Sequence, residues 1–203
     1  YSVDVINDDT MRARGLKNVV EVLDGMAGIL SGESPSEPYS FGMRGFTRDS
    51  IKVLNDGISM GKTTYNMRPT TTFSLSQVEV LKGSGNILHG QGGVGGSVNM
   101  ITRKPELSNH HIVETILSYG SYDSRSVNLG FAGPVSDSVA YRVDVSRNDA
   151  DGWVNDSKSE LENVVLSLLW QPRDDLKFIF SYNYLNDELP AYFGTPLVPN
   201  SVA

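Results

Sequence analysis

Cysteine is absent from the 203 residues, so no disulfide and no thiolate metal site can form, and redox logic leaves the compartment open. Only three histidines occur, His89, His110 and His111. His89 stands alone and an adjacent pair in a strand points to opposite faces, so metal-ligand spacing is missing. No Ser-His-Asp or Cys-His set can be assembled, which leaves no catalytic residue and no metal or cofactor requirement in view. No run of about 18 apolar residues appears; this excludes a transmembrane helix but not a transmembrane barrel, whose strands need only alternate. Lysine and arginine number 17 against 24 acidic residues, a formal charge of −7, and they form no stripe that could track phosphates. Nucleic acid is excluded as a partner on that ground. No basic n-region or apolar leader stands ahead of Tyr1-Ser2-Val3-Asp4-Val5-Ile6, so the chain is expected to be mature protein or a fragment.

What is present falls into two halves of different grammar. Residues 1–105 mix short elements. Asn7, Asp8 and Asp9 offer capping oxygens to a first helical turn over 10–14, and Val19, Val20, Val22 and Leu23 give an apolar face to a second helix over 17–26. Residues 32–38, with two prolines and a glycine, read as loop. Runs prone to β-structure at 51–54, 77–81 and 97–102 complete a small α+β domain.

From 106 to 203 the chain reads as five strands of about ten residues. Val139, Tyr141, Val143 and Val145 alternate with Arg142, Asp144 and Ser146, and Leu176, Phe178, Phe180, Tyr182 and Tyr184 alternate with Lys177, Ser181 and Asn183. Val127, Leu129 and Phe131 repeat the pattern, Val113, Leu117 and Tyr119 repeat it more weakly, and 164–170 is apolar nearly throughout. Tight turns are expected at 133–137 and 171–175, with a long polar loop over 147–160. Alternation alone fits a soluble antiparallel sandwich as well as a membrane barrel. Tyr119, Tyr122, Trp153, Trp170, Tyr182 and Tyr184 near strand ends favour the barrel, where aromatic girdles lie. Five strands cannot close one that spans a bilayer, so much of the barrel is expected to lie outside this chain.

Gly90-Gln91-Gly92-Gly93-Val94-Gly95 matches a dinucleotide fingerprint, with Glu114 some way beyond. That chemistry needs a helix N-terminus after the glycines to hold a pyrophosphate, and 97–102 is β-like instead. Glycines that pack backbone closely or supply positive φ account for the run better.

Four motifs occur in one order: Phe41-Gly42-Met43-Arg44-Gly45-Phe46, Val53-Leu54-Asn55-Asp56-Gly57-Ile58, Val78-Glu79-Val80-Leu81-Lys82-Gly83, and Ser97-Val98-Asn99-Met100-Ile101-Thr102-Arg103-Lys104-Pro105 after the glycine-rich stretch. Together they resemble the plug domain of TonB-dependent outer-membrane receptors, and Phe131-Ala132-Gly133-Pro134-Val135 resembles the first periplasmic turn of their barrel. Ser84 stands where that family commonly has proline and His89 where it commonly has tyrosine. The resemblance implies an α+β plug domain over 1–105 and the opening strands of a transmembrane β-barrel over 106–203, in the outer membrane of a Gram-negative bacterium. It implies a receptor rather than an enzyme, importing a ferric siderophore or similar metal chelate; haem, cobalamin or an oligosaccharide remain alternative cargoes.

The implied partners are outer-membrane lipid and a TonB-type inner-membrane energy-coupling protein, whose recognition box is expected ahead of Tyr1. The motif glycines are Gly45, Gly57, Gly83, Gly90, Gly95 and Gly96. By the same resemblance Arg44 and Lys82, with Glu79 nearby, form a lock with barrel glutamates. Tyr39, Tyr65, Asn66, Met67 and Arg68 are candidate ligand contacts at the plug apex, where aromatic faces meet a chelate and Arg68 meets its charge.

Overall fold

A computed structural model of the chain describes residues 2–31, 39–47, 50–60, 68–83, 93–151 and 158–189. The first half opens with β1 (Ser2–Asn7), α1 (Asp8–Ala13) and α2 (Val19–Asp24). The first helix starts two residues before the expected turn over 10–14 and the second is shorter than the expected 17–26, because asparagine caps set where they start. The Asn7 side chain accepts from Thr10 N, and that of Asn18 accepts from Glu21 N. The Glu21 carboxylate in turn accepts from Lys17 N at 2.6 Å and from Asn18 Nδ2 at 2.8 Å, so α2 begins at residue 19 rather than 17.

The strands β2 (Ile29–Ser31), β3 (Phe41–Met43) and β4 (Phe46–Thr47) form a small antiparallel sheet. A second sheet contains β5 (Ile51–Asn55), β6 (Ile58–Ser59), β7 (Leu75–Lys82) and β8 (Gly96–Thr102), in the order β1-β7-β8-β5-β6. Its β5–β8 pair is parallel and the others are antiparallel, so the sheet is mixed. Met11, Val22, Leu23, Met43, Ile51, Leu75, Val78, Val80 and Val98 bury between these layers as one core. Two hairpins turn on a pair of left-handed residues, Arg44-Gly45 (φ 53° and 80°) between β3 and β4, and Asp56-Gly57 (φ 51° and 81°) between β5 and β6. That is the backbone a two-residue hairpin with right-twisted strands requires.

The second half is one antiparallel sheet, β9 (Ile112–Gly120), β10 (Ser124–Ser136), β11 (Val139–Ala150), β12 (Ser159–Arg173) and β13 (Leu176–Glu188), paired in sequence order. The strands run to 15 residues. They extend through the positions expected as turns: β10 continues to Ser136 and β12 to Arg173, each with a register shift, leaving the turns at 137–138 and 174–175.

The faces of this sheet decide its surroundings. Register places Thr115, Leu129, Val145, Val164 and Tyr184 in one row, and Val113, Phe131, Val143, Leu166 and Tyr182 in the next. Leu117 is 70 % exposed on this face and Tyr182 is 60 % exposed. The opposite face carries Ser126, Asn128, Arg142, Asp144, Ser146, Asn163 and Ser167, all buried. A water-soluble sheet packs its apolar face inward. Here the more polar face, which also carries Ala140, Leu161, Val165 and Leu169, lies inward against the first domain and a continuous apolar face looks out, which is the arrangement of a barrel wall in lipid around a largely polar lumen.

Candidate functional site

Among the described residues, two regions join the elements β1–β8 to the inner face of the sheet. At the end nearest the β11–β12 loop, Arg68 Nη2 lies 2.7 Å from Asp187 Oδ1 of β13, with the arginine half exposed and the aspartate buried. Tyr39 is largely buried nearby. Burial, together with the negative charges of Glu21 and Asp187, holds its phenol above the usual tyrosine range, so it remains a neutral donor at physiological pH. Tyr39 lines a cleft of about 170 Å³ with Lys17, Glu21, Thr71, Arg125 and Glu160. The structure thus gathers Tyr39 and Arg68 around Asp187. Tyr65, Asn66, Met67 and Gly90 lie outside the described residues, as do His89 and Trp153.

Nearer the short turns, six charged side chains meet between α1, the end of β8 and the wall. Glu114 of β9 accepts from Arg103 Nη1 at 2.6 Å, Arg12 Nη2 at 3.0 Å and Arg142 Nη2 at 3.4 Å. Asp8 Oδ1 lies 2.8 Å from Arg12 Nε and 2.5 Å from Arg103 Nη2; the second contact is an ion pair without hydrogen-bond alignment. Asp144 takes both Nε and Nη2 of Arg142, at 2.7 and 2.8 Å. Three carboxylates meet three guanidiniums, so the group is neutral as a whole. Asp8 and Glu114 hold the Arg12 guanidinium above its ordinary range, outweighing the burial that opposes its charge. The Arg103 and Arg12 guanidiniums also lie 5.6 and 6.0 Å from the centre of the Phe73 ring. One pointer to this group is legible in the sequence, Arg142 and Asp144 at the polar positions of an alternating strand; the long-range pairing leaves no such signal.

The motif residues mostly hold the small domain together. Lys82 is buried and donates to Asp4 Oδ2 at 2.5 Å and to Ala27 O at 2.6 Å, tying β1 and the α2–β2 turn to β7. Glu79 accepts from Gln77 Nε2 and Asn99 Nδ2. Asp56 accepts from Thr102 N, Thr102 Oγ1 and Lys104 Nζ at 3.0, 2.7 and 2.7 Å. Arg44 is exposed at its hairpin tip. A Cβ at Gly96 (φ 142°) would stand 2.3 Å from Leu81 O, so only glycine fits there, and Gly95 is packed against Phe46 and Ser50. Gly45, Gly57 and Gly83 also have positive φ.

No group of three or more potential metal ligands occurs among the described residues, and no described helix is long and apolar enough to cross a membrane. His111 packs its ring on Gly133 and against Tyr141, at 6.4 Å between centroids.

A wall polar within and apolar without, packed on an α+β domain, has the arrangement of one side of a plugged outer-membrane barrel. Residues 1–97 match the TonB-dependent Receptor Plug Domain family, and this part of the chain is a plug of that class. The chain is similar to the ferrioxamine receptor of Yersinia enterocolitica, 23 % identical over 94 % of this chain and 27 % of the relative. It is 30 % identical to the ferripyoverdine receptor of Pseudomonas aeruginosa over 68 % of this chain and 17 % of that protein. Among solved structures, the pyoverdine outer membrane receptor FpvA of Pseudomonas aeruginosa bound to pyoverdine superposes with a TM-score of 0.83 at 23 % identity, covering 92 % of this chain and 27 % of FpvA. The chain spans about a quarter of the length of the first two curated relatives, 27 % and 26 %. Its place is the Gram-negative outer membrane.

Proposed function

We propose that the chain is the plug and opening wall of a receptor that imports a ferric siderophore through the outer membrane, with the boundary between the two parts at residue 105. The observation that carries this reading is the inverted sheet: buried Ser126, Asn128, Asp144 and Asn163 face the plug, while Leu117, Phe180 and Tyr182 face outward. Relatives named for ferrioxamine, ferrichrome and ferripyoverdine support the cargo class over haem, cobalamin or an oligosaccharide.

Transport needs no covalent chemistry. The chelate settles on the apex, where Tyr39 offers a flat, neutral phenol and the half-exposed guanidinium of Arg68, ion-paired with Asp187, offers donors. A TonB-type inner-membrane protein, engaging a segment ahead of Tyr1, then pulls on the plug. Polar contacts against a polar wall let modest work rearrange it. Exposed Arg44 is the residue of the implied lock best placed to meet a carboxylate elsewhere on the barrel; Lys82 and Glu79 act as staples within the plug. Arg68→Ala and Tyr39→Ala in the full-length receptor are expected to weaken ferric-siderophore binding about tenfold each, as read by quenching of tryptophan fluorescence. Affinities within twofold of wild type would remove both from the site.

A further inference from the structure

The six-charge group sits at the foot of a cavity. Between the plug and β9–β11 lies a space of about 450 Å³ bounded by Met11, Leu16, Phe73 and Ile116, with Ser126 and Asn128 on the wall and Asp8 and Arg12 at its base. The apical cleft shares Lys17, Thr71, Ser126 and Asn148 with it, so the two adjoin across these side chains. Successive inward positions of β10 mark the path. Ser124 lines the cleft, Ser126 both spaces and Asn128 the larger cavity, and Gly130 meets the charges. Each step of two residues advances about 7 Å.

Gly130 fixes where the path ends. It stands between Glu114 and Asp144 in the register of β9, β10 and β11. A Cβ there would lie 2.9 Å from Asp144 Oδ1, 3.2 Å from Phe73 Cζ and 3.4 Å from Glu114 Oε2. The missing side chain makes room for two carboxylates and a plug aromatic at one level of the wall. Arg12 and Arg103 reach that level from the plug, and Arg142 reaches it from β11. Above it the wall mixes Ile116 with Ser118, Ser126 and Asn128, so a passing solute meets a few hydrogen-bonding groups on an otherwise apolar lining.

We propose that this group is a gate: Asp8, Arg12, Arg103, Glu114, Arg142 and Asp144 close the periplasmic end of a passage between the plug and β9–β11, and parting them opens it while the plug sheet stays folded. The closure is sensitive because it balances. Three positive and three negative groups satisfy one another, and loss of Glu114 leaves three guanidiniums sharing Asp8 and Asp144 with a net positive charge. Arg103 lies one residue after β8 and Asp8 directly after β1, so tension on β1 reaches the gate through α1.

This inference rests on the importer reading, and its test is independent of cargo. Because this chain lacks cysteine, Asn128→Cys in an otherwise cysteine-free full-length receptor reports access to the cavity, and Ser97→Cys reports the integrity of the plug sheet. The receptor is reconstituted in liposomes, and a bulky charged maleimide is applied to the periplasmic side. Glu114→Gln is expected to speed labelling of Asn128→Cys at least tenfold and leave Ser97→Cys protected. Gly130→Ala, which displaces the carboxylates without removing a charge, is expected to act in the same direction. Lys82→Met, which cuts a plug-internal contact, is expected to leave Asn128→Cys labelling unchanged. Unchanged labelling of Asn128→Cys in both gate variants would overturn the proposal, and so would equal acceleration at Ser97→Cys, which means release of the whole plug. Failure of siderophore binding with the labelling pattern intact would count against the cargo reading alone.

Discussion

Leu166→Arg separates a lipid-facing wall from a soluble sheet. Leu166 lies at the centre of the 15-residue β12, beside Val143 of β11 and Tyr182 of β13 on the outward face, and is 40 % exposed. On a water-facing sheet, arginine at so open a position changes stability by no more than about 0.5 kcal/mol. In lipid the guanidinium sits near the bilayer midplane, where the cost is about 2–4 kcal/mol. That is roughly a 30- to 700-fold shift in the folding equilibrium. Asp175→Arg in the exposed β12–β13 turn serves as control, with an expected change within about 0.5 kcal/mol. The full-length protein is folded into phospholipid vesicles and titrated with guanidinium, with heat-modifiable migration reporting the folded fraction. Equal midpoints for Leu166→Arg and wild type would refute the assignment of this face to lipid.

Two further predictions concern the plug. Asp56→Ala removes an acceptor shared by Thr102 N, Thr102 Oγ1 and Lys104 Nζ, and is expected to cost the plug about 2 kcal/mol, measured by hydrogen exchange across β5 and β8. Lys82→Met should free β1 selectively: its amides exchange about tenfold faster while those of Val80 and Val98 keep their protection, because Asp4 is exposed enough to turn to water.

The alternation at 139–145 and 176–184 was legible because a strand's side chains repeat every two residues whatever its environment. The environment itself was not, since alternation is the same whether the apolar face meets a core or a bilayer; burial of Asp144 and Ser146 with exposure of Tyr182 settles it. The turns at 137–138 and 174–175 are tighter than the proline-bearing stretches suggested, because register shifts let both strands run past Pro134 and Pro172. Asp56-Gly57 carries a recognisable hairpin signal, yet Arg44-Gly45 takes the same backbone without the usual asparagine or aspartate and reads as strand. The gate was hidden for another reason: Arg12 and Glu114 are 102 residues apart, and only the packing of α1 on the wall brings them together. Lys82 shows the opposite, a motif cation whose partners Asp4 and Ala27 lie in the plug itself.

The central claim, import of a ferric siderophore, is tested most directly by a fluorescence titration of the full-length receptor in detergent. Trp170, stacked on Phe178 at 5.3 Å on the outer wall, gives a fixed background against which apical quenching is read. The panel holds ferric siderophores of several chelate classes, haem, cobalamin and oligosaccharides. The account predicts saturable, submicromolar binding to one class of ferric siderophore. Saturable binding to haem, cobalamin or an oligosaccharide, with none to any ferric siderophore, would contradict it.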